Sequence, residues 1–246
     1  MKSLRWQVKL GGMLLLLTIL LYALHFLIFR DARHIGIYFL GDLAFLPIQV
    51  LLVSLIVAQL LVQREKEQKL DKMNMVIGAF FSEAGTRLLK SFSTFDVHAE
   101  DTCRHLQVRA SLAENDRLQV KDFLRQYDFA MSTDKGDLEA LKAFLVGKRT
   151  FLLTLLENPN LLEHDTFTEL LWAVFHLMEE LSLRPAFAGL PPSDHDHLAA
   201  DMKRAYRLLI EEWLEYLWHL KRRYPYLFSL SIRTNPFDRD ASVIVR

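Results

Sequence analysis

The chain is nearly devoid of cysteine. Cys103 is its single thiol, so no internal disulfide can form, and a lone thiol suits a reducing compartment better than an oxidising one. It also lacks an excess of either charge. Thirty basic residues balance thirty acidic ones, leaving no basic field to recruit phosphate backbones, so nucleic acid is not an expected partner. Missing too are a Walker loop, a nucleophile elbow, a zincin motif and a Rossmann turn. Without a convergent nucleophile or ligand set, an enzyme is the less favoured class, and no cofactor is expected.

What the chain does have is two long apolar runs near its start. Leu10–Phe29 (LGGMLLLLTILLYALHFLIF) carries no charge and, at about 20 residues, can cross a hydrocarbon core of roughly 30 Å as a helix. Lys2, Arg5 and Lys9 resemble the basic region of a signal peptide, but the apolar run is too long and no small-x-small cleavage site follows it. The second run, Ile35–Val62, would be roughly 42 Å long as one helix. Asp42, placed at an N-cap after Gly41, resolves the excess by opening a helix whose apolar body is Leu43–Val62. Ile35–Leu40 would then lie in the outer interface with Tyr38 at headgroup level. The rival reading puts Asp42 inside the bilayer, where an ionisable group marks an ion or proton path.

Deeper in the second run, Pro47 frees a backbone carbonyl and the Gln49 amide needs a partner across a helix interface. Packing against the first helix satisfies both, as does a homo-oligomer. Lys2, Arg5 and Lys9 before the first run, and Arg64, Lys66, Lys69 and Lys72 after the second, outnumber Arg30 and Arg33 between them. Both ends of the chain are therefore expected on the cytoplasmic side of the membrane.

Gln63–Lys72 is charged with mixed signs and reads as a helical stalk. Leu70, Met73, Ile77, Phe80, Ala84 and Leu88 then step by three and four, one apolar helical face. Contact of Phe80 and Phe81 with the inner leaflet is the minor alternative to core packing. The window Asp96, His98, Glu100, Asp101, Cys103, His105 contains ligand-type side chains but no paired His or Cys spacing, and reads as a polar connection.

Four helices follow. Ser111 with Glu114 forms a capping box opening a segment to about Met131. Asp137 caps a helix ending by Glu157, before Asn158 and Pro159; Asp165 caps the next, to about Leu183. Ser193, Asp194 or Asp196 starts the longest, which reaches Arg223 before Pro225. Its Leu209, Ile210, Trp213, Leu214, Tyr216, Leu217, Trp218 and Leu220 cover more than one stripe, so it is buried on several sides or shared with another subunit. YPYLF and TNPF near the end are too apolar for a loose tail and pack back or form a docking strip.

The expected fold class is all-α and membrane-anchored. A two-helix transmembrane hairpin (1–62) continues through a juxtamembrane stalk (63–92) into a cytoplasmic helical bundle (93–246).

Candidates for chemistry are few. Glu169, Trp172, His176 and Glu179 or Glu180 fall along one side of the third bundle helix, but the order His176-x-x-Glu179, present once, is wrong for a di-iron bundle site. Asp194, His195, Asp196, His197 and Asp201 form a denser group in which His197 and Asp201, one turn apart, could chelate one ion. Helix capping accounts for its acids, so no metal is expected. His164-Asp165-Thr166-Phe167-Thr168 resembles the phospho-acceptor box of histidine kinases over five residues. With no Gly-rich or Asn-rich ATP-binding segment following, phosphotransfer there would need another protein to supply the phosphate.

The expected role is a binding, scaffold or regulatory module at the membrane, homo-oligomeric, with the bilayer and a cytoplasmic protein as partners. The alternative is an oligomeric ion channel or transporter. In it, Gln49, Ser54 and Gln59, five residues apart, would follow a tilted pore-facing line on the second spanning helix.

Overall fold

The computed structural model describes residues 2–106, 114–159, 161 and 164–244. These are all-helical, with no strand beyond an isolated antiparallel bridge between Asp96 and Met131. The chain divides into two compact units, Met1–Lys66 and Glu67–Arg246.

The first unit holds α1 (Lys2–Phe29) and the greater part of α2 (Ala32–Phe80). The two helices are joined by a tight turn: Arg30 takes a left-handed conformation (φ 48°) and its N–H returns to the Phe26 carbonyl at 2.8 Å, an αL termination. Asp31 Oδ1 then accepts the His34 N–H at 3.0 Å and caps α2. This corrects two expectations. Ile35–Leu40 is not a segment ahead of the second helix but already part of α2, and Asp42 is not an N-cap but lies inside it. Gly41 causes no break because a helix already capped at Asp31 need only propagate through it, at a cost of about 1 kcal/mol. Pro47 is also interior to α2. Both helices are long and apolar enough to cross a membrane by length and composition, and their apolar windows are wholly exposed on the chain.

The second unit has its own core. The apolar face expected from Met73 to Leu88 is present: Met73, Ile77, Phe80, Ala84 and Leu88 are buried, while Leu70 stays exposed. Phe81 is buried beside Phe80 because Phe81–Gly85 winds as a π-turn, which rotates the adjacent ring inward. The Phe81 carbonyl accepts both the Thr86 N–H and, at 2.8 Å, the Thr86 hydroxyl, and the two phenyl rings meet edge to face. Both phenylalanines therefore belong to this core rather than to a lipid-facing surface. α3 (Thr86–Phe95) and α4 (Ala99–Leu106) follow. Between them the buried Asp96 accepts from Thr102 Oγ1 (2.6 Å) and from the His98 amide (2.9 Å). That consumes the carboxylate locally, in keeping with a polar connection.

The Ser111 capping box lies outside the described residues; α5 runs Glu114–Gln126. The helix expected from Asp137 to Glu157 is two, α6 (Leu138–Gly147) and α7 (Arg149–Leu156), broken at Lys148 (φ −101°, ψ 4°). Asp137 does cap α6, accepting from the Ala140 amide at 2.9 Å. α8 (Asp165–Leu183) is capped by His164, not Asp165: His164 Nδ1 accepts the Phe167 N–H at 3.1 Å. An imidazole with a free lone pair serves the orphan amide, which leaves the Asp165 carboxylate in the first turn to favour the helix dipole. α9 (Pro192–Arg223) opens with proline at its first position, where no amide is needed. The apolar tail folds as α10 (Pro225–Arg233) and a following turn that buries Phe237 against Trp213, so it packs back. α8 and α9 form the centre of the core.

Candidate functional site

α9 is so heavily apolar that the acids interspersed in it cannot all reach water. Glu212 is 4% exposed. It borders a cavity of about 690 Å³ whose apolar wall includes Met73, Leu124, Leu214 and Trp218. Thr166 Oγ1, from the first turn of α8, donates to Glu212 Oε1, and His164 Nδ1 lies 4.0 Å from the same oxygen. Because Nδ1 accepts the Phe167 amide, the ring proton of the capped state belongs on Nε2. Burial raises the pKa of Glu212 against the opposing pull of the Thr166 hydrogen bond. Half-buried Glu211 is raised by burial too, and burial lowers His219. Two ion pairs stand on the same wall, Lys121 with Glu215 at 2.6 Å and Arg223 with Asp71 at 3.8 Å, and Glu67, Arg125 and Arg222 line it as well. Glu211 and Glu212 thus present the cavity with carboxyls suited to a cation or a hydrogen-bond donor, beside apolar surface.

This cavity was not anticipated from sequence. The available signal was Glu212 itself, three residues after Leu209 and adjacent to Trp213 in the apolar part of α9. His164 and Thr166, singled out for a phospho-acceptor resemblance, are used here as a helix cap and as the hydrogen-bond donor to Glu212.

The histidines noted on two separate helices converge. His176 and Glu180 lie one turn apart on α8, His197 and Asp201 one turn apart on α9. His176 Nε2 is 3.3 Å and His197 Nε2 3.4 Å from Asp201 Oδ2. Glu180 reaches His176 Nε2 at 3.9 Å through Oε1 and His197 Nε2 at 3.6 Å through Oε2. Asp201 is 5% exposed, and its Oδ2 accepts no hydrogen bond from the described residues. Arg184 holds the group in place: its Nη1 donates to Glu180 Oε2 (2.8 Å), while Nε and Nη2 form a fork on Asp194 at 2.8 and 2.6 Å. Two sequence candidates fall outside the cluster. Glu179 turns to Arg149 at 3.7 Å, so Glu180 is the participating acid, and His195 Nδ1 meets Thr133 Oγ1 at 2.7 Å. Among the described residues, His176, Glu180 and His197 are a set whose ligand-type atoms lie within 4.8 Å of one another.

In the first unit, Asp42 shares a recess of about 340 Å³ with Thr18, Tyr22, His25 and Tyr38. Gln49, Ser54 and Gln59 are exposed on α2. Successive members of that series turn by about 140° around a continuous α-helix, so they are spread around it rather than aligned.

The chain belongs to the MJ1433 family. The family model described as "MJ1433, N-terminal helical domain" matches residues 2–61, and "Uncharacterized protein MJ1433, C-terminal helical domain" matches residues 69–233. The chain is similar to the protein described as Uncharacterized protein MJ1433 from Methanocaldococcus jannaschii, with 46% identity over 245 residues, 99% of this chain and 98% of the relative. No solved structure matches it.

Proposed function

We propose that the chain is an integral protein of the cytoplasmic membrane, a two-span hairpin with both ends inside, whose helical domain is a cytoplasmic binding module. The observation that carries this reading is the contrast between the two units: α1 and α2 expose their apolar windows entirely, whereas the domain buries its own. The basic flanks support the orientation. Asp42 shares its recess with Thr18, which stands midway along Leu10–Phe29. That favours the bilayer-interior reading of Asp42 over the boundary reading. The dispersal of Gln49, Ser54 and Gln59 gives a pore no common face, so binding is preferred to conduction. Homo-oligomerisation through the exposed helix surfaces fits the same reading.

The binding surface is the cavity beside Glu212, and its ligand is a small molecule presenting a cationic or donor group to Glu211 and Glu212. Alkaline carbonate washing of membranes tests the first part, with the chain expected to stay in the pellet; release into the supernatant defeats it. Thermal-shift titration of detergent-solubilised protein with small amines and matched carboxylates tests the second. Amines are expected to stabilise wild type but not Glu212→Leu, and a response to carboxylates alone defeats the assignment.

A further inference from the structure

We infer that His176, Glu180, His197 and Asp201 bind a divalent transition-metal ion of borderline character, with Zn²⁺ as the type. The donor set matches: two neutral imidazole nitrogens and two carboxylates are ligands that zinc takes at about 2.0–2.2 Å. For tetrahedral coordination at those bond lengths, neighbouring ligand atoms stand roughly 3.3–3.6 Å apart. The cluster has His176 Nε2–Asp201 Oδ2 at 3.3 Å, His197 Nε2–Asp201 Oδ2 at 3.4 Å and His197 Nε2–Glu180 Oε2 at 3.6 Å. His176 Nε2 approaches the other Glu180 oxygen, Oε1, at 3.9 Å, so the carboxylate faces both imidazoles, one through each oxygen. These spacings fit ligands arranged around a common centre better than they fit hydrogen bonds, whose usual N···O length is near 2.9 Å.

The second support is Asp201. Its Oδ2 is buried, lies between the two imidazoles and accepts no hydrogen bond from the described residues. A buried carboxylate oxygen in that position is costly unless a cation satisfies it. Arg204 approaches the other oxygen, Oδ1, at 3.6 Å, leaving Oδ2 to the cluster. Each helix contributes one imidazole and one carboxylate at a spacing of four residues, the arrangement that directs both side chains from one helical face. Arg184 supplies the outer shell by fixing the Glu180 carboxylate. The two histidine side chains are 46% and 48% exposed, so an ion can enter without the helices parting.

The test uses the full-length, tag-free protein in detergent, treated with chelator and then freed of it. Isothermal titration with Zn²⁺ should show one ion per chain. His176→Ala/His197→Ala should bind at least about 100-fold more weakly, a loss equal to or above that seen when only an outer-shell partner is removed. His195→Ala, whose ring lies on Thr133, should bind as wild type. Both replaced histidines are half-exposed, so circular dichroism of the double variant should match wild type; if it does not, Asp201→Asn, of the same shape, takes its place in the comparison. Co²⁺ in place of Zn²⁺ should give the intense visible bands of a tetrahedral ion in wild type only. Absence of Zn²⁺ binding by wild type, or equal binding by wild type and the cluster variants, overturns the inference.

Discussion

Thr166 on α8 donates its hydroxyl to the carboxyl of Glu212 on α9, a hydrogen bond that joins the two central helices at a position almost closed to water. Burial raises the Glu212 pKa above its ordinary 4.5. The folded state therefore holds this proton to higher pH than the unfolded chain does. The contribution of the group is fully present below pH 4.5 and is lost as pH rises through the folded-state pKa. Glu212→Gln keeps an oxygen for Thr166 but removes the charge. The variant should be more stable than wild type at pH 7, with the difference closing as pH falls toward 4.5. Thermal melts followed by circular dichroism across that range check it, and a variant less stable at pH 7 contradicts it.

Arg184 acts in the opposite sense. Its hydrogen bonds hold the carboxyls of Glu180 and Asp194 below their ordinary values of 4.5 and 3.8. Their stabilising contribution is present above those values and is lost as pH falls through the depressed folded-state pKa values. Arg184→Gln should lower the melting temperature at pH 7 and converge on wild type in acid. An offset that persists unchanged to pH 3 would show that packing, not charge, supplies the effect.

Two glycines separate crowding from helix propensity. A Cβ on Gly136 would stand 2.5–2.6 Å from three ring carbons of the fully buried Phe95. Gly136→Ala should cost about 1–3 kcal/mol in chemical denaturation, the usual range for overpacking. At Gly147, the last residue of α6, an added Cβ meets nothing within 4 Å. Gly147→Ala should be neutral or stabilising by up to about 1 kcal/mol. Equal effects at the two sites would contradict the steric explanation.

Tyr206 is completely buried, and its ring packs against Phe92, Phe129 and Phe237 with centroids 6.0, 5.3 and 6.5 Å away. Its hydroxyl has no hydrogen-bond partner among the described residues. Tyr206→Phe preserves the ring and removes the unmet polar group, so a gain of about 1–3 kcal/mol is expected. A loss of stability in the same denaturation assay would show that the hydroxyl is satisfied.

Helix existence was legible wherever a 3.6-residue period met a clear terminus. The Met73–Leu88 face, the Asp137 cap and the stop before Pro225 follow from side-chain chemistry that acts within a turn or two. The errors arose where two local signals competed. Gly41-Asp42 looks like a helix start, yet α2 is already capped at Asp31 and runs through both residues. Asp165 looks like a cap, yet His164 performs that role. The candidate sites were legible only as halves. His197 and Asp201 can be paired from their own helix, whereas the sequence leaves His176 between Glu179 and Glu180, and the approach of His176 to Asp201 depends on the packing of α8 on α9, which no local pattern encodes. The cavity needed the same information, since Thr166 meets Glu212 across that contact.

The membrane hairpin is the central claim, and cysteine labelling tests it most directly because Cys103 is the only native thiol to remove. In a Cys103→Ser background, Arg33→Cys, in the first turn of α2, should react with a membrane-impermeant maleimide added to intact spheroplasts. Glu139→Cys, exposed on α6, should react only after detergent is added. Labelling of both positions in intact spheroplasts, or of Glu139→Cys alone, would contradict a two-span hairpin with its helical domain inside.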